Sequence, residues 1–359
     1  MTLSDTRLVI QMRIERLREF IAEKELDGVI ITHRPNIYYF TGSAPVLGGY
    51  LIITADDALF LVPQLEYEEA RETSRVPVEA FKRGPELFER LKSFRLKKLG
   101  IEGRTAYSTV QSYREKLGVE EFVTVDDVIK ELRMIKTKEE LEVIQAACEI
   151  ADQAMLTAIE EISEGKRERE IAAKMEYVMK MKGAEKPAFD TIIASGWRSA
   201  LPHGVASDKR IERGELVVID EGALYNHYNS DTTRTIVVGS PNEKQKDIYQ
   251  AVLEAQKKGV EMARPGITAK ELDTIVRDVI KEYGYGDYFI HSTGHGVGLE
   301  IHEWPGVNQS DETVLKPGMV ITVEPGIYIP KFGGVRIEDT IVITENGARR
   351  LTKTERELI

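Results

Sequence analysis

Two segments of this chain repeat each other, and the repeat limits what the chain can fold into. Gly214-Glu215-Leu216-Val217-Val218-Ile219-Asp220-Glu221-Gly222 has a partner in Gly318-Met319-Val320-Ile321-Thr322-Val323-Glu324-Pro325-Gly326. Both read glycine, five residues, an acid, any residue, glycine. Each predicts an apolar strand ending in a carboxylate and a glycine turn. A second strand is expected after each, again carrying an acid: Asp231 in Ser230–Val238, and Glu338 in Arg336–Ile343. Two similar strand pairs, each presenting two acids, predict a pseudo-twofold domain with four carboxylates at its centre.

A carboxylate on a buried strand is costly unless a cation or a partner compensates it. Read singly, each of the four is a strand-end turn residue. In a repeated pattern they point to a hard cation, with oxygen ligands suiting Mn, Mg or Ca, and a nearby imidazole pulls the preference toward transition metals. The six histidines are His33, His203, His227, His291, His295 and His302. Three of them fall between the acid pairs, in the glycine-rich stretch His291-Ser292-Thr293-Gly294-His295-Gly296-Val297-Gly298-Leu299-Glu300-Ile301-His302-Glu303. Glycine density there lets backbone pack closely and lets the imidazoles converge. His203, between Pro202 and Gly204, is a secondary candidate. His227 decorates the first hairpin's turn, and His33 follows a strand near the N-terminus and reads equally as a plain loop residue. Trp197 and Trp304 flank this set and read as pocket walls or as packing residues.

The elements around the repeat give an α/β (α+β) chain. A helix is expected at about 8–23, strands at Gly28–Ile31, Leu99–Ile101 and Phe122–Val125, and a hairpin of 49–53 with 58–62. This predicts an N-terminal α/β domain over 1–125, a linker helix within 126–136, and a second domain over 137–359. In the latter, Thr137–Glu140 and Thr268–Glu271 form capping boxes, in which hydroxyl and carboxylate each satisfy a free backbone N–H. They open helices to about 162 and 283. Further helices are expected at 167–182 and 243–263.

Lys and Arg number 49 and Asp and Glu 60, a net charge of −11. That argues against nucleic-acid binding, which wants a basic face, and against a polybasic membrane anchor. No apolar run reaches the roughly 18 residues of a membrane span. No secretory signal is visible at Met1–Asp5. The one cysteine, Cys148, allows no internal disulfide and suits a reducing cytoplasm; it reads as a small buried helix residue.

The acids and histidines together resemble a known family. Asp220, Asp231 eleven residues on, His295, Glu324 and Glu338 match in order the five ligands of the pita-bread dinuclear metallopeptidases. The His291–Glu303 stretch matches that family's proline-peptidase signature, and Thr233-Arg234-Thr235 matches its flank. The resemblance covers the whole chain and is closest to the archaeal-type prolidases, the Xaa-Pro dipeptidases.

It implies a C-terminal pita-bread domain. Asp220 would serve one metal, Asp231 and Glu338 would bridge, and His295 and Glu324 would serve the second. The two divalent metals per subunit would be Mn or Co, with Zn or Fe possible. The implied activity is hydrolysis of Xaa-Pro dipeptides by a hydroxide bridging the metals, the alternative being an Xaa-Pro aminopeptidase acting on longer peptides. Glu324 would also shuttle a proton, His203, His291 and His302 would line the substrate site, and Arg336, near the bridging carboxylate Glu338, would support the site or the substrate. The partners implied are small peptide substrates and a second copy of the chain. In such a homodimer the N-terminal domain supports the contact, with His33 and Asn36–Phe40 near the partner's site.

Overall fold

Short strands that are apolar on both sides need cover on both faces, and the N-terminal third of the chain supplies it. The structure, a computed structural model, describes residues 3–359. It divides into two compact units, one ending at Arg133 and the other running from Met134 to Ile359.

The first unit is built on a six-stranded sheet. Its order is Val78–Phe81, Ala58–Pro63, Tyr50–Ile53, Gly28–Ile31, Lys98–Ile101, Glu121–Thr124. The predicted hairpin is present, with Tyr50 opposite Leu61 and Ile53 opposite Ala58. The helix Leu3–Glu23 buries Ile10, Ile14, Leu17 and Ile21. Spacings of three and four put these on one stripe. The edge strand Val78–Phe81 was not expected from the sequence. None of its residues is fully buried, so selection for an apolar alternation is weak there. The helix Asp126–Met134 closes this unit.

The second unit repeats one plan twice. A pair of helices, Lys138–Glu161 and Glu168–Met181, precedes the antiparallel strands Leu216–Glu221 and Thr232–Val237. A second pair, Glu243–Met262 and Ala269–Glu282, precedes the antiparallel strands Val320–Val323 and Glu338–Thr344. Both predicted capping boxes are formed: Thr137 with Glu140, and Thr268 with Glu271. Asn242 with Gln245 makes another.

The two strand pairs join along Thr232 opposite Asp339 and Thr233 opposite Glu338. They form the middle of an eight-stranded sheet. Side chains alternate faces along a strand. Val217, Ile219 and Ile236 therefore share a face, packed on Met155, Ile171 and Met175 of the first helix pair. Ile321, Val323 and Ile341 pack on Val252, Leu272 and Val276 of the second pair. With the helices covering that back face, the front face is left for the acids. Cys148 is buried in the first of these helices, as expected.

Candidate metal centre

The pleat decides which side chains can meet on the front face. Residues directly opposite in an antiparallel pair point to the same side. Asp220 lies opposite Thr233, and Thr233 lies opposite Glu338. Asp231 is two residues before Thr233 and shares its side. Thr322 lies opposite Thr340, two residues after Glu338, so Glu324 shares that side as well. Gly296 lies opposite Ile321, which places His295 level with Thr322. Five residues separated by more than a hundred positions thus converge by strand parity and register alone.

The convergence is tight. Asp231, His295 and Glu338 each offer a donor atom within 4.8 Å of the others. His295 Nε2 is 3.4 Å from Asp231 Oδ2 and 3.4 Å from Glu324 Oε1. These separations exceed a hydrogen bond and suit donors arranged around a shared cation. Asp220 Oδ2 accepts from Arg336 Nη2 at 2.6 Å, while Asp220 Oδ1 and Glu338 Oε1 are buried with no hydrogen-bond partner. Burial, then Asp220 and Glu324 beside it, holds the Asp231 carboxyl well above the usual range. Burial, then Asp231, does the same to Glu338, and burial raises Glu324. These groups resist ionising because their negative charges are crowded and dry. A divalent cation supplies the missing compensation, so the donor set fits one.

Around the acids stands a frame of hydrogen bonds. Thr233 Oγ1 donates to Glu338 Oε2 at 2.7 Å and accepts from Arg336 Nε at 3.1 Å. Thr322 Oγ1 donates to Glu324 Oε1 at 3.2 Å and accepts from His295 N at 3.0 Å. Tyr328 accepts from Arg336 Nη1 at 2.7 Å, and its hydroxyl lies 2.8 Å from His291 Nε2. Burial pushes the Tyr328 hydroxyl up to about 12, so it keeps its proton. Burial lowers His291 to about 4, helped by Arg336. Burial and then His295 lower His302 to about 4, its ring centroid lying 4.3 Å from that of His295. Both imidazoles are neutral near pH 7.

His203 is exposed on the turn after Pro202, within electrostatic reach of His291 and His302. The structure thus gathers His203, His291, His302 and Arg336 with the five candidate ligands. His227 occupies a hairpin turn at φ 68°, as its turn reading expected. His33, in the other unit, precedes the helix Arg34–Thr41.

The glycine-rich stretch earns its composition through close approach. A Cβ on Gly294 would meet Thr322 O at 2.1 Å, and one on Gly296 would meet Trp304 O at 2.3 Å. Thr322 and Tyr328 are site residues that sequence reasoning did not single out, and Thr233 entered only as part of the Thr233-Arg234-Thr235 flank, with no role. The two threonines had a usable signal, since each lies two positions from a candidate acid on its strand. Tyr328, four residues past Glu324, had none.

Comparison with known proteins decides the assignment. Residues 142–345 match metallopeptidase family M24, and residues 13–135 match the creatinase/prolidase N-terminal domain. The chain belongs to metallopeptidase family M24. Among M24 relatives, the Xaa-Pro dipeptidase of Pyrococcus furiosus is 69% identical over 97% of this chain and 99% of its own length. That of Pyrococcus horikoshii is 64% identical over 98% of this chain and 99% of its own. The crystal structure of the Pyrococcus horikoshii prolidase superposes with a TM-score of 0.96, at 64% identity, covering 97% of this chain and 100% of that one. The expected pita-bread fold is therefore the fold of the second unit.

Within this M24 site Tyr328 is a test of the hydrogen-bonded frame. Tyr328→Phe strips a buried acceptor from Arg336 and a partner from His291. An unpaired buried group costs about 1–3 kcal/mol, so a fall of roughly tenfold or more in kcat/KM is expected. Bound metal, measured by mass spectrometry, should not change. Loss of metal instead would mean that the tyrosine acts on the ligands and not on the substrate side.

Proposed function

We propose that this chain is an Xaa-Pro dipeptidase, a prolidase, with two divalent ions per subunit. The observation that carries the reading is the convergence of Asp220, Asp231, His295, Glu324 and Glu338 on one sheet face, with buried carboxylate oxygens left unpaired. Similarity along nearly the full length to curated Xaa-Pro dipeptidases supports the substrate class. The favoured ions are Mn or Co, with Zn and Fe also suited to an oxygen-rich site bearing one imidazole. When bound, such ions supply Lewis acidity, which acidifies water and polarises a carbonyl.

The chain's own residues do the rest. Asp220, Asp231, Glu324 and Glu338 offset the ions' charge. Glu324, 3.4 Å from His295 among the candidate ligands, would take the proton that the attacking water releases and pass it to the leaving proline nitrogen. The exposed His203 offers an N–H donor to the substrate and the neutral His302 offers one to developing oxyanion charge, while His291, whose Nδ1–H donates to Ser292 O at 2.8 Å, accepts from the Tyr328 hydroxyl and holds it in place. Arg336 holds Asp220 in place and brings positive charge toward the substrate's carboxylate. The scissile bond before proline has no N–H. A site that works through a polarised carbonyl does not need that proton.

This reading includes a cytoplasmic homodimer joined through the N-terminal unit. Val46, Leu47 and Leu65 are exposed there, apolar surface of the sort a subunit contact covers. No helix among the described residues is long and apolar enough to cross a membrane.

The test uses chelated protein reloaded with Mn or Co, given Met-Pro and Met-Pro-Ala side by side. Cleavage of Met-Pro alone is expected. Comparable cleavage of Met-Pro-Ala moves the chain to the Xaa-Pro aminopeptidases, which the same ligands would serve. Cleavage of neither, with metal bound, removes proline specificity.

A further inference from the structure

The segment 195–207 leaves the strand Ile192–Ser195, makes the short turn Gly196–Ala200, carries His203 and returns. Most of it lies outside the sheet. Both of its ends are fastened to one carboxylate. Glu168, the first residue of the helix Glu168–Met181, is 0% exposed. Its Oε1 accepts from Ser195 N and Ser195 Oγ, each at 2.8 Å. Its Oε2 accepts from Ser207 N at 3.1 Å, from Ser207 Oγ at 2.6 Å, and from Arg198 Nη1. Arg198 Nη2 in turn donates to Val205 O at 2.8 Å. One oxygen therefore holds the outgoing end, and the other holds the returning end.

The helix does not need Glu168 for its own start. Glu170 already reaches back to Arg167 N at 2.9 Å. A fully buried carboxylate is costly to keep, and here every donor compensating it comes from this one segment. The far side of the segment meets the site. Pro202 O accepts from Arg336 Nη1 at 3.2 Å, and Arg336 also holds Asp220. Ser199 Oγ accepts from Gly334 N at 2.9 Å, two residues before Arg336.

We propose that Glu168 is a positioning residue: by clasping Ser195, Arg198 and Ser207 it fixes the turn that carries His203, and so governs substrate binding rather than the chemical step. The kinetic part of this inference rests on the dipeptidase reading above.

Glu168→Gln tests it. The amide has one accepting oxygen, and its NH2 would face donors on the other side, so one end of the segment is released. KM for Met-Pro is expected to rise roughly tenfold, a modest fraction of what small misplacements cost, with kcat within about twofold and metal content unchanged. A second readout needs neither metal nor turnover. Trp197 lies in the segment, and Trp304 is the only other tryptophan. In a Trp304→Phe background, acrylamide should quench Trp197 more strongly once Glu168 is Gln. Ser207→Ala removes one of the bonds to Glu168, along with the Oγ that accepts from Lys209 N at 3.1 Å, and should shift KM and quenching the same way by less. It decides the matter if Glu168→Gln does not fold. Unchanged KM overturns the proposal, as does unchanged quenching. A fall in kcat or in bound metal at constant KM also overturns it, since Glu168 would then act elsewhere. If the wild-type protein fails to cleave Met-Pro, the dipeptidase reading falls while the quenching comparison still decides the clasp.

Discussion

Replacing Glu338 with Gln, or Asp231 with Asn, is expected to remove bound metal and to cut turnover of Met-Pro by at least roughly a thousandfold. That factor corresponds to the several kcal/mol of stabilisation a Lewis acid contributes. The geometry argues for so large an effect. Asp231, His295 and Glu338 converge within 4.8 Å, so each amide places a neutral group, half of it a donor, where a cation needs an anion. The variants should fold. They relieve crowding among carboxylates whose ionisation burial and mutual repulsion already disfavour. The metal-free variants should therefore melt no lower than the metal-free parent. Metal content by mass spectrometry and melting with and without Mn separate the outcomes. Full metal content with retained turnover would remove that carboxylate from the centre. Loss of folding would mean that it holds the sheet and not a cation.

The site was legible because strands are read with a period of two. Asp220 and Glu324 stand at the ends of apolar runs, and Asp231 and Glu338 begin the strands that pair with them. Repeating the pattern made four isolated turn residues into one group. The histidines followed from glycines whose missing Cβ atoms the structure uses for close backbone contact. Helix starts were legible through Thr137 and Thr268, whose capping boxes leave a four-residue signature.

What escaped reading has a common cause. The roles of Thr233, Thr322 and Tyr328 rest on pairings that depend on register between strands distant in sequence. Glu168 looked like any acid in the first turn of a helix, where the dipole favours one. Only the fold shows that its carboxylate faces inward onto Ser195 and Ser207. The edge strand Val78–Phe81 is half-buried at best and leaves no apolar alternation to find.

The back face of the same sheet carries the second large effect. Arg234 and Asp339 are both 0% exposed and paired at 2.8 Å. As the chain neighbours of Thr233 and Glu338 they point to the other face of the sheet, behind the metal centre. Arg234→Ala is expected to lower the unfolding free energy by about 3–5 kcal/mol, the cost of stranding a buried charge, read from the urea midpoint at constant slope. A simple buried pair can be replaced by apolar residues at little cost, so the double variant Arg234→Leu with Asp339→Leu decides what kind of pair this is. Arg234 also donates to Glu355 O at 2.7 Å, Thr354 O at 2.6 Å, Thr233 O at 2.8 Å and Glu338 O at 2.5 Å. Asp339 further accepts from Gln256, Arg350 and Thr352. The pair is thus the knot tying the C-terminal segment to the strands that carry Asp231 and Glu338. The double variant should remain as destabilised as Arg234→Ala, because four carbonyls still lose their donor. Recovery of stability in the double variant would reduce the knot to an ordinary ion pair. A fall in metal affinity alongside the lost stability would show that the knot also holds the backbone of Glu338 where the metal centre needs it.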